Sequence, residues 1–235
     1  MVTQQLPLPI GEYGAPSFEN YYLADTNREP VAAVERCGRG EGERFLYLWG
    51  PAGVGKTHLL LAACQAAAQR GERVAYVPLK RADTLAPEIL RGLEAAALVA
   101  IDDIDRIAGC RYWEESLLHL YNLSREGPSQ LLLASAKKPS GLCLLLPDLR
   151  SRLGWGLVYQ LQPLDDHQKH AALKLQAAKR GMELPDEVAA FLLRHSDRDM
   201  HSLSDLLAQL ERASMAAQRR LTIPFVRQVL GIQLR

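Results

Sequence analysis

The segment Gly50-Pro51-Ala52-Gly53-Val54-Gly55-Lys56-Thr57 constrains this chain more than any other feature. It is a complete GxxxxGK[ST] loop. It stands between an apolar and aromatic run, Phe45-Leu46-Tyr47-Leu48-Trp49, and a helical pattern from Lys56 to Arg70 closed by Gly71. The chemistry requires that context. Glycines let the backbone turn round a phosphate without Cβ clashes. The N–H groups of Gly53, Val54, Gly55 and His58 then share the work of the helix N-terminus in pointing at its oxygens. Lys56 neutralises the outer phosphate charge, and the Thr57 hydroxyl is a ligand for Mg²⁺. The loop therefore predicts a bound nucleotide, ADP or ATP, with Mg²⁺. The bland alternative is a glycine-rich strand-to-helix turn with an accidental Lys-Thr.

Such a site needs an acidic residue at the end of a second apolar strand, and Leu98-Val99-Ala100-Ile101-Asp102-Asp103 supplies two. Asp102 is expected to hold Mg²⁺, and Asp103 to orient and deprotonate an attacking water. Asp103 has a second reading, as a cap on the helix that follows near Ile104.

The remaining pattern gives the fold class. Runs at Arg73 to Val77, Ala97 to Ile101, Gln130 to Ser135 and Leu157 to Leu161 read as strands. Between them lie helical segments at about Ala82 to Leu93, imperfect because it contains Pro87, and Trp113 to Arg125; an earlier short helix starts near Pro30. Strands alternating with helices imply a mostly parallel sheet covered by helices, since parallel strands need crossovers. From Pro163 onward only helical periods remain, at about Asp165 to Gly181, Pro185 to His195, Asp199 to Arg219 and Pro224 to Gly231. Leu203, Leu206, Leu207 and Leu210 share one helical face. Three parts are expected: an extended arm over 1–17, rich in Pro and Gly, an α/β domain over 18–162, and a small α-helical lid over 163–235.

Composition excludes several classes. Lys and Arg number 28 against 27 Asp and Glu, a net charge of +1, so no overall basic field draws the chain to nucleic acid or anionic membrane. No apolar stretch is long enough to span a bilayer, and the N-terminus does not read as a secretion signal. Cys37, Cys64, Cys110 and Cys143 fit no CxxC metal knuckle and are read as reduced, mostly buried thiols of a cytoplasmic protein. His167 and His170 share a helical face without further ligands and read as surface residues.

Phe18-Glu19-Asn20-Tyr21, Trp49 to His58, Leu98 to Asp105, Leu149 to Gly156 and Asp197-Arg198-Asp199-Met200 together resemble the DnaA/Hda family of bacterial AAA+ ATPases. The resemblance spans nearly the whole chain. The phosphate loop is generic, whereas Arg152-Leu153-Gly154-Trp155-Gly156 and the run from Ile101 to Asp105 are far more specific. The resemblance implies an AAA+ P-loop fold. It also implies that Arg152 is an arginine finger acting in trans on a neighbour's nucleotide, and that Arg198, in the lid, contacts the phosphates of the chain's own nucleotide. Residues near Asn20 to Tyr22 and Asn27 correspond to the family segment around the base. Read from the residues alone, Arg150 and Arg152 are equally well surface charges.

Gln5-Leu6-Pro7-Leu8-Pro9 resembles the family's sliding-clamp-binding pentapeptide, with Gln5, Leu6, Leu8 and Pro9 as contacts. A proline-stiffened segment loses little entropy on binding, and the two leucines suit an apolar pocket. The implied function is negative regulation of replication initiation. Its partners would be the initiator DnaA and the β-subunit sliding clamp, with DNA reached through the clamp. The chain, ending at Arg235, is expected to lack the initiator's duplex-binding domain. One position departs from the family pattern: Ala136 stands where a polar sensor residue follows Ser135; either Ser135 substitutes for it, or the missing water-positioning group slows hydrolysis of the chain's own nucleotide. Two other functions stay open, an autonomous ATPase resembling a helicase loader or transposition helper, and an adaptor that sequesters the initiator without catalysis. A homo-oligomer built on the Arg152 surface also stays open.

Overall fold

A computed structural model describes residues 16–196 and 199–231. Its centre is a sheet of β1 (Phe45–Trp49), β2 (Val74–Pro78), β3 (Leu98–Asp102), β4 (Gln130–Ser135) and β5 (Leu157–Gln160), in the order β2-β3-β4-β1-β5. Every pairing is parallel. The central strands are apolar throughout because both faces are covered, and their alternation divides the core in two. Tyr47, Val99, Ile101, Leu131 and Leu133 face one layer, built on α3 (Arg111–Glu126) and α4 (Pro147–Leu153). Leu46, Leu48, Leu98, Ala100, Leu132 and Ala134 face the other, against α1 (Arg28–Arg39) and α2 (Lys56–Gln69). Most are under 2 % exposed, and each such aliphatic side chain contributes roughly 1.5–3 kcal/mol by leaving water.

Beyond the sheet, α5 (Asp166–Lys179), α6 (Asp186–His195), α7 (Met200–Ala217) and α8 (Ile223–Leu230) enclose a core of their own. Leu203, Leu207 and Leu210 of α7 are fully buried in it, with Phe191, Phe225 and Val226. Asp165 caps α5 by accepting the Gln168 N–H, and Asp199 caps α7 by accepting those of His201 and Ser202. These helices also touch the sheet half: Lys179 pairs with Glu19 at 3.0 Å, and Asp199 lies against the phosphate loop. Buried Asn27 fixes the crossing between the halves, donating to the Gln162 carbonyl at 2.9 Å and accepting its N–H at 2.8 Å.

Two expectations need correction. No α-helix forms over Ala82 to Leu93; Leu79–Arg81, Pro87–Leu90 and Leu93–Ala95 are separate 3-10 turns. Pro87 stands at the start of the second turn, and Gly92 breaks the path with φ +79°, so no continuous helical face exists. Nor are the cysteines mostly buried. Cys37 and Cys64 are, and burial pushes their thiols up to about 11 and about 12, but Cys110 and Cys143 are exposed. All four are free. Among the described residues no helix is long and apolar enough to cross a membrane.

Candidate functional site

The site forms at the C-terminal ends of β1 and β3, which flank β4. β1 delivers the phosphate loop and β3 delivers Asp102, so the parallel order alone brings base and acid to one edge. Gly53 and Gly55 have φ of +76° and +96°, conformations open to glycine but strained for other residues. A Cβ on Gly55 would come within 2.7 Å of the Tyr21 ring, and the Tyr21 hydroxyl donates to the Val54 carbonyl at 3.4 Å. The segment before α1 thus braces the loop from outside.

Lys56 is only 8 % exposed, and its ammonium donates to the Gly50 and Pro51 carbonyls at 2.8 and 2.9 Å. Burial lowers its pKa, opposed by the carboxylates of Asp102, Asp103 and Asp105. The Thr57 hydroxyl donates to Asp102 Oδ2 at 2.6 Å, and the Tyr76 hydroxyl donates to the same oxygen at 3.2 Å. These hard oxygens at the mouth of the loop fit Mg²⁺, which typically takes one or two protein ligands and leaves other positions to phosphates and water. Among the described residues, no group of three or more His, Cys, Asp and Glu residues could hold a metal alone.

Asp103 occupies left-handed backbone, φ +57° and ψ +46°, which costs an ordinary residue roughly 1–2 kcal/mol. It begins the 3-10 turn Ile104–Arg106 yet makes no side-chain cap hydrogen bond, so the capping reading loses its bond. Burial, then the neighbouring Asp102 and Asp105, raise its pKa against the pull of Lys56 and Arg106. Such a carboxylate is a stronger base than an isolated one.

Asp105, in the 3-10 turn that follows β3, joins β4 to this edge. It accepts the Ser135 hydroxyl at 2.9 Å and the Ala136 N–H at 2.8 Å. Burial works to raise its pKa, but these hydrogen bonds prevail and hold the carboxyl below its ordinary range. Ser135 is thus engaged by Asp105, and Ala136 contributes only backbone. The third acid of the Ile101 to Asp105 run and Tyr76 are network members that sequence reasoning passed over. The signal in the sequence is a third acid, Asp105, closing the same Ile101 to Asp105 run.

Lys56, Thr57, Asp102 and Asp103 converge; other anticipated residues lie elsewhere. The His58 ring is held by the Ser17 carbonyl at 2.8 Å and packs 5.4 Å from the Tyr21 ring, so its side chain belongs to the brace, and burial lowers its pKa. Arg152 ends α4. Its guanidinium donates to Asn122 of α3, pairs with Asp148 at 3.2 Å and lies 5.8 Å from the Trp155 ring. Trp155 itself is 61 % exposed. Gln5, Leu6, Leu8, Pro9 and Arg198 lie outside the described residues. A cleft of about 420 Å³ opens at the opposite edge of the sheet, where Arg44 and Arg70 are already bonded to the Arg125 and Gly38 carbonyls.

Comparison with known proteins follows the same division of the chain. Residues 14–160 match the family described as bacterial DnaA ATPase domain, and residues 166–230 match the family described as Hda, lid domain. Among solved structures, the chain is similar to domain III of the Thermotoga maritima replication initiation protein DnaA. The TM-score is 0.76 at 22 % identity, covering 95 % of this chain and 98 % of that one. It is also similar to AMPPCP-bound DnaA from Aquifex aeolicus, at TM-score 0.68, 24 % identity, and 87 % and 69 % coverage. The Thermotoga maritima RuvB Holliday junction branch migration motor matches at TM-score 0.65 and 17 % identity, covering 94 % and 73 %. The fold is the α/β AAA+ fold.

Proposed function

The chain belongs to the DnaA/Hda family of AAA+ proteins, and from that premise we propose that it is a negative regulator of chromosome replication initiation. In this reading it binds ADP or ATP with Mg²⁺, docks on the DNA-loaded sliding clamp, and stimulates hydrolysis of the ATP held by DnaA. The observation that carries the reading is the pairing, in one chain, of a DnaA-type ATPase domain with an Hda-type lid. That lid sets it apart from an initiator, and Ala136 at the sensor position favours a regulator over a motor.

The chain's own nucleotide has a structural task. The N–H groups of Gly53, Val54, Gly55 and His58 and the Lys56 ammonium would hold its phosphates, Thr57 and Asp102 its Mg²⁺, and Arg198 would reach the phosphates from the lid. When bound, Mg²⁺ would supply charge neutralisation to the phosphate chain. Asp103 can accept a proton from water, but Ser135 is turned to Asp105, so hydrolysis in this site is expected to be slow. Lys56→Ala should weaken ADP binding by about 100-fold, since hydrogen bonds from a charged donor contribute ~1.5–3 kcal/mol each. Calorimetric titration measures this directly, and an affinity within about threefold of wild type would be inconsistent with the assignment.

Stimulation in trans falls to Arg152, which would enter the nucleotide site of DnaA and stabilise charge on the transferred phosphoryl group. The exposed Trp155 ring beside it suits the anchor of such a heterologous contact. Gln5, Leu6, Leu8 and Pro9 would supply the clamp contact. A Leu6→Ala/Leu8→Ala variant should lose clamp binding, by at least about 100-fold for two buried leucine side chains at ~1.5–3 kcal/mol each, while keeping ADP affinity. Surface plasmon resonance on immobilised clamp reads the first property and nucleotide titration the second. Clamp binding unchanged by the double substitution would remove this role from the arm.

A further inference from the structure

Arg152 stands on a helix that is too short to hold itself in place. α4 has 7 residues, fewer than the roughly 12–15 at which an isolated helix is even marginal in water. Its N-cap residue, Leu146, brings no side-chain acceptor, and the loop before it is open to solvent, with Leu145 56 % exposed. Leu149 and Leu153 bury one face of α4. Its start is held by the carboxylate of Glu114, a fully buried residue in the first turn of α3. Oε2 accepts the Leu146 N–H at 2.8 Å, and Oε1 accepts those of Leu145 at 3.1 Å and Gly109 at 2.7 Å. The Gly109 turn is itself anchored, since Ile104 and Ile107 just before it are fully buried. Farther along α3, Asn122 accepts from the Arg152 guanidinium. One helix thus holds α4 at both ends, at its N-cap through Glu114 and at its last turn through Asn122.

We propose that Glu114 is a positioning residue for Arg152: by fixing where α4 begins, it fixes where the guanidinium is delivered. The inference rests on reading Arg152 as a finger that acts on the partner's nucleotide. A helix of two turns moves as a rod, so a shift at its N-cap carries through to its last turn. A misplacement of about 1 Å in a charge-stabilising group can cost on the order of 10²-fold in rate. Glu114 is buried inside the chain and cannot meet DnaA itself. Its effect therefore falls on the rate within the docked complex and not on docking.

Glu114→Gln tests this with little change of shape: one oxygen remains for Gly109 and Leu145, while an amide N–H₂ group is turned toward the Leu146 N–H. Glu114→Asp keeps the charge but is one methylene too short to span all three donors. Each full-length variant is titrated against DnaA preloaded with labelled ATP, with clamp on DNA, and conversion to ADP is followed. Both should lower the maximal stimulated rate by about tenfold while leaving the half-saturating concentration and the chain's own ADP affinity within about twofold of wild type. Glu114→Gln combined with Arg152→Ala should lose no more than Arg152→Ala alone, because the carboxylate acts through that guanidinium. A merely structural role behaves differently, since a smaller folded fraction raises the half-saturating concentration and leaves the maximal rate intact. That pattern would overturn the proposal, as would a maximal rate equal to wild type, or loss of ADP binding in both variants. Wild-type stimulation that survived Arg152→Ala would overturn the finger reading and this inference with it. Stimulation that required Arg152 but ignored Glu114 overturns this inference alone.

Discussion

Arg152→Ala is expected to reduce stimulated hydrolysis of DnaA-bound ATP to the rate DnaA shows alone, because a finger arginine supplies roughly 10³ to 10⁵ of the rate in this chemistry. Arg152→Lys should not restore it. A lysine ammonium is a single compact charge, whereas the guanidinium bonds two oxygens at once in a fixed plane. In the isolated chain the guanidinium is held by Asn122 and Asp148, with the Arg152 side chain only 16 % exposed. That hold is weak enough to exchange. Asp148 is 61 % exposed, and ion pairs open to water are worth ~0–1 kcal/mol, less than charge-assisted bonds to a triphosphate in a closed interface. Asn122 and Trp155 orient the side chain beforehand, which limits the rotamer entropy lost on docking. Steady-state release of labelled phosphate from preloaded DnaA reads the effect. Stimulation that survived Arg152→Ala would transfer the role to another residue or favour the sequestering adaptor.

A second large effect lies four residues further on. Gly156→Ala should destabilise the chain by about 3 kcal/mol and lower its Tm by about 10 °C. A Cβ at that position would lie 2.1 Å from the Phe45 carbonyl oxygen and 2.7 Å from its carbon, and backbone of β1, paired on both sides, cannot withdraw as a side-chain tip could. The alternative is for β5 to move outward, breaking the register that pairs Leu46 with Leu157 and Leu48 with Tyr159. Either response shifts the segment carrying Arg152 and Trp155. Thermal unfolding followed by circular dichroism measures it; a Tm within about 2 °C of wild type would show that β5 yields freely. The same contact gives a physical reason for glycine in the Arg-Leu-Gly-Trp-Gly segment, where sequence reading offered only resemblance.

The parts legible in the sequence are those governed by local rules. The sheet strands could be read because Phe45 to Trp49, Leu98 to Asp102 and Gln130 to Ser135 are short apolar runs ended by glycine, acid or turn residues. Lys56, Thr57 and Asp102 could be placed because motif spacing and strand context agree. What escaped depends on tertiary approach. Tyr76 reaches Asp102 only because β2 lies beside β3, and Asp199 meets Gly53 only because the lid folds back on the sheet. Glu114, fully buried, joins the Gly109 turn to the strand-to-helix loop by accepting the N–H groups of Gly109, Leu145 and Leu146; nothing in its surroundings in the sequence marks it. The segment from Ala82 to Leu93 misled because its apolar residues suggest a helix, while Pro87 and Gly92 divide it into turns.

The central claim is that this chain acts on a nucleotide held by its partner. Its most direct test loads DnaA with labelled ATP, adds the full chain with clamp on DNA, and follows conversion to labelled ADP in a single turnover. The expected result is conversion at least about 100-fold faster than in DnaA alone, a conservative fraction of the finger's usual contribution, and dependent on both clamp and DNA. Conversion at the unstimulated rate, with the chain nonetheless bound to clamp and to ADP, would contradict the account.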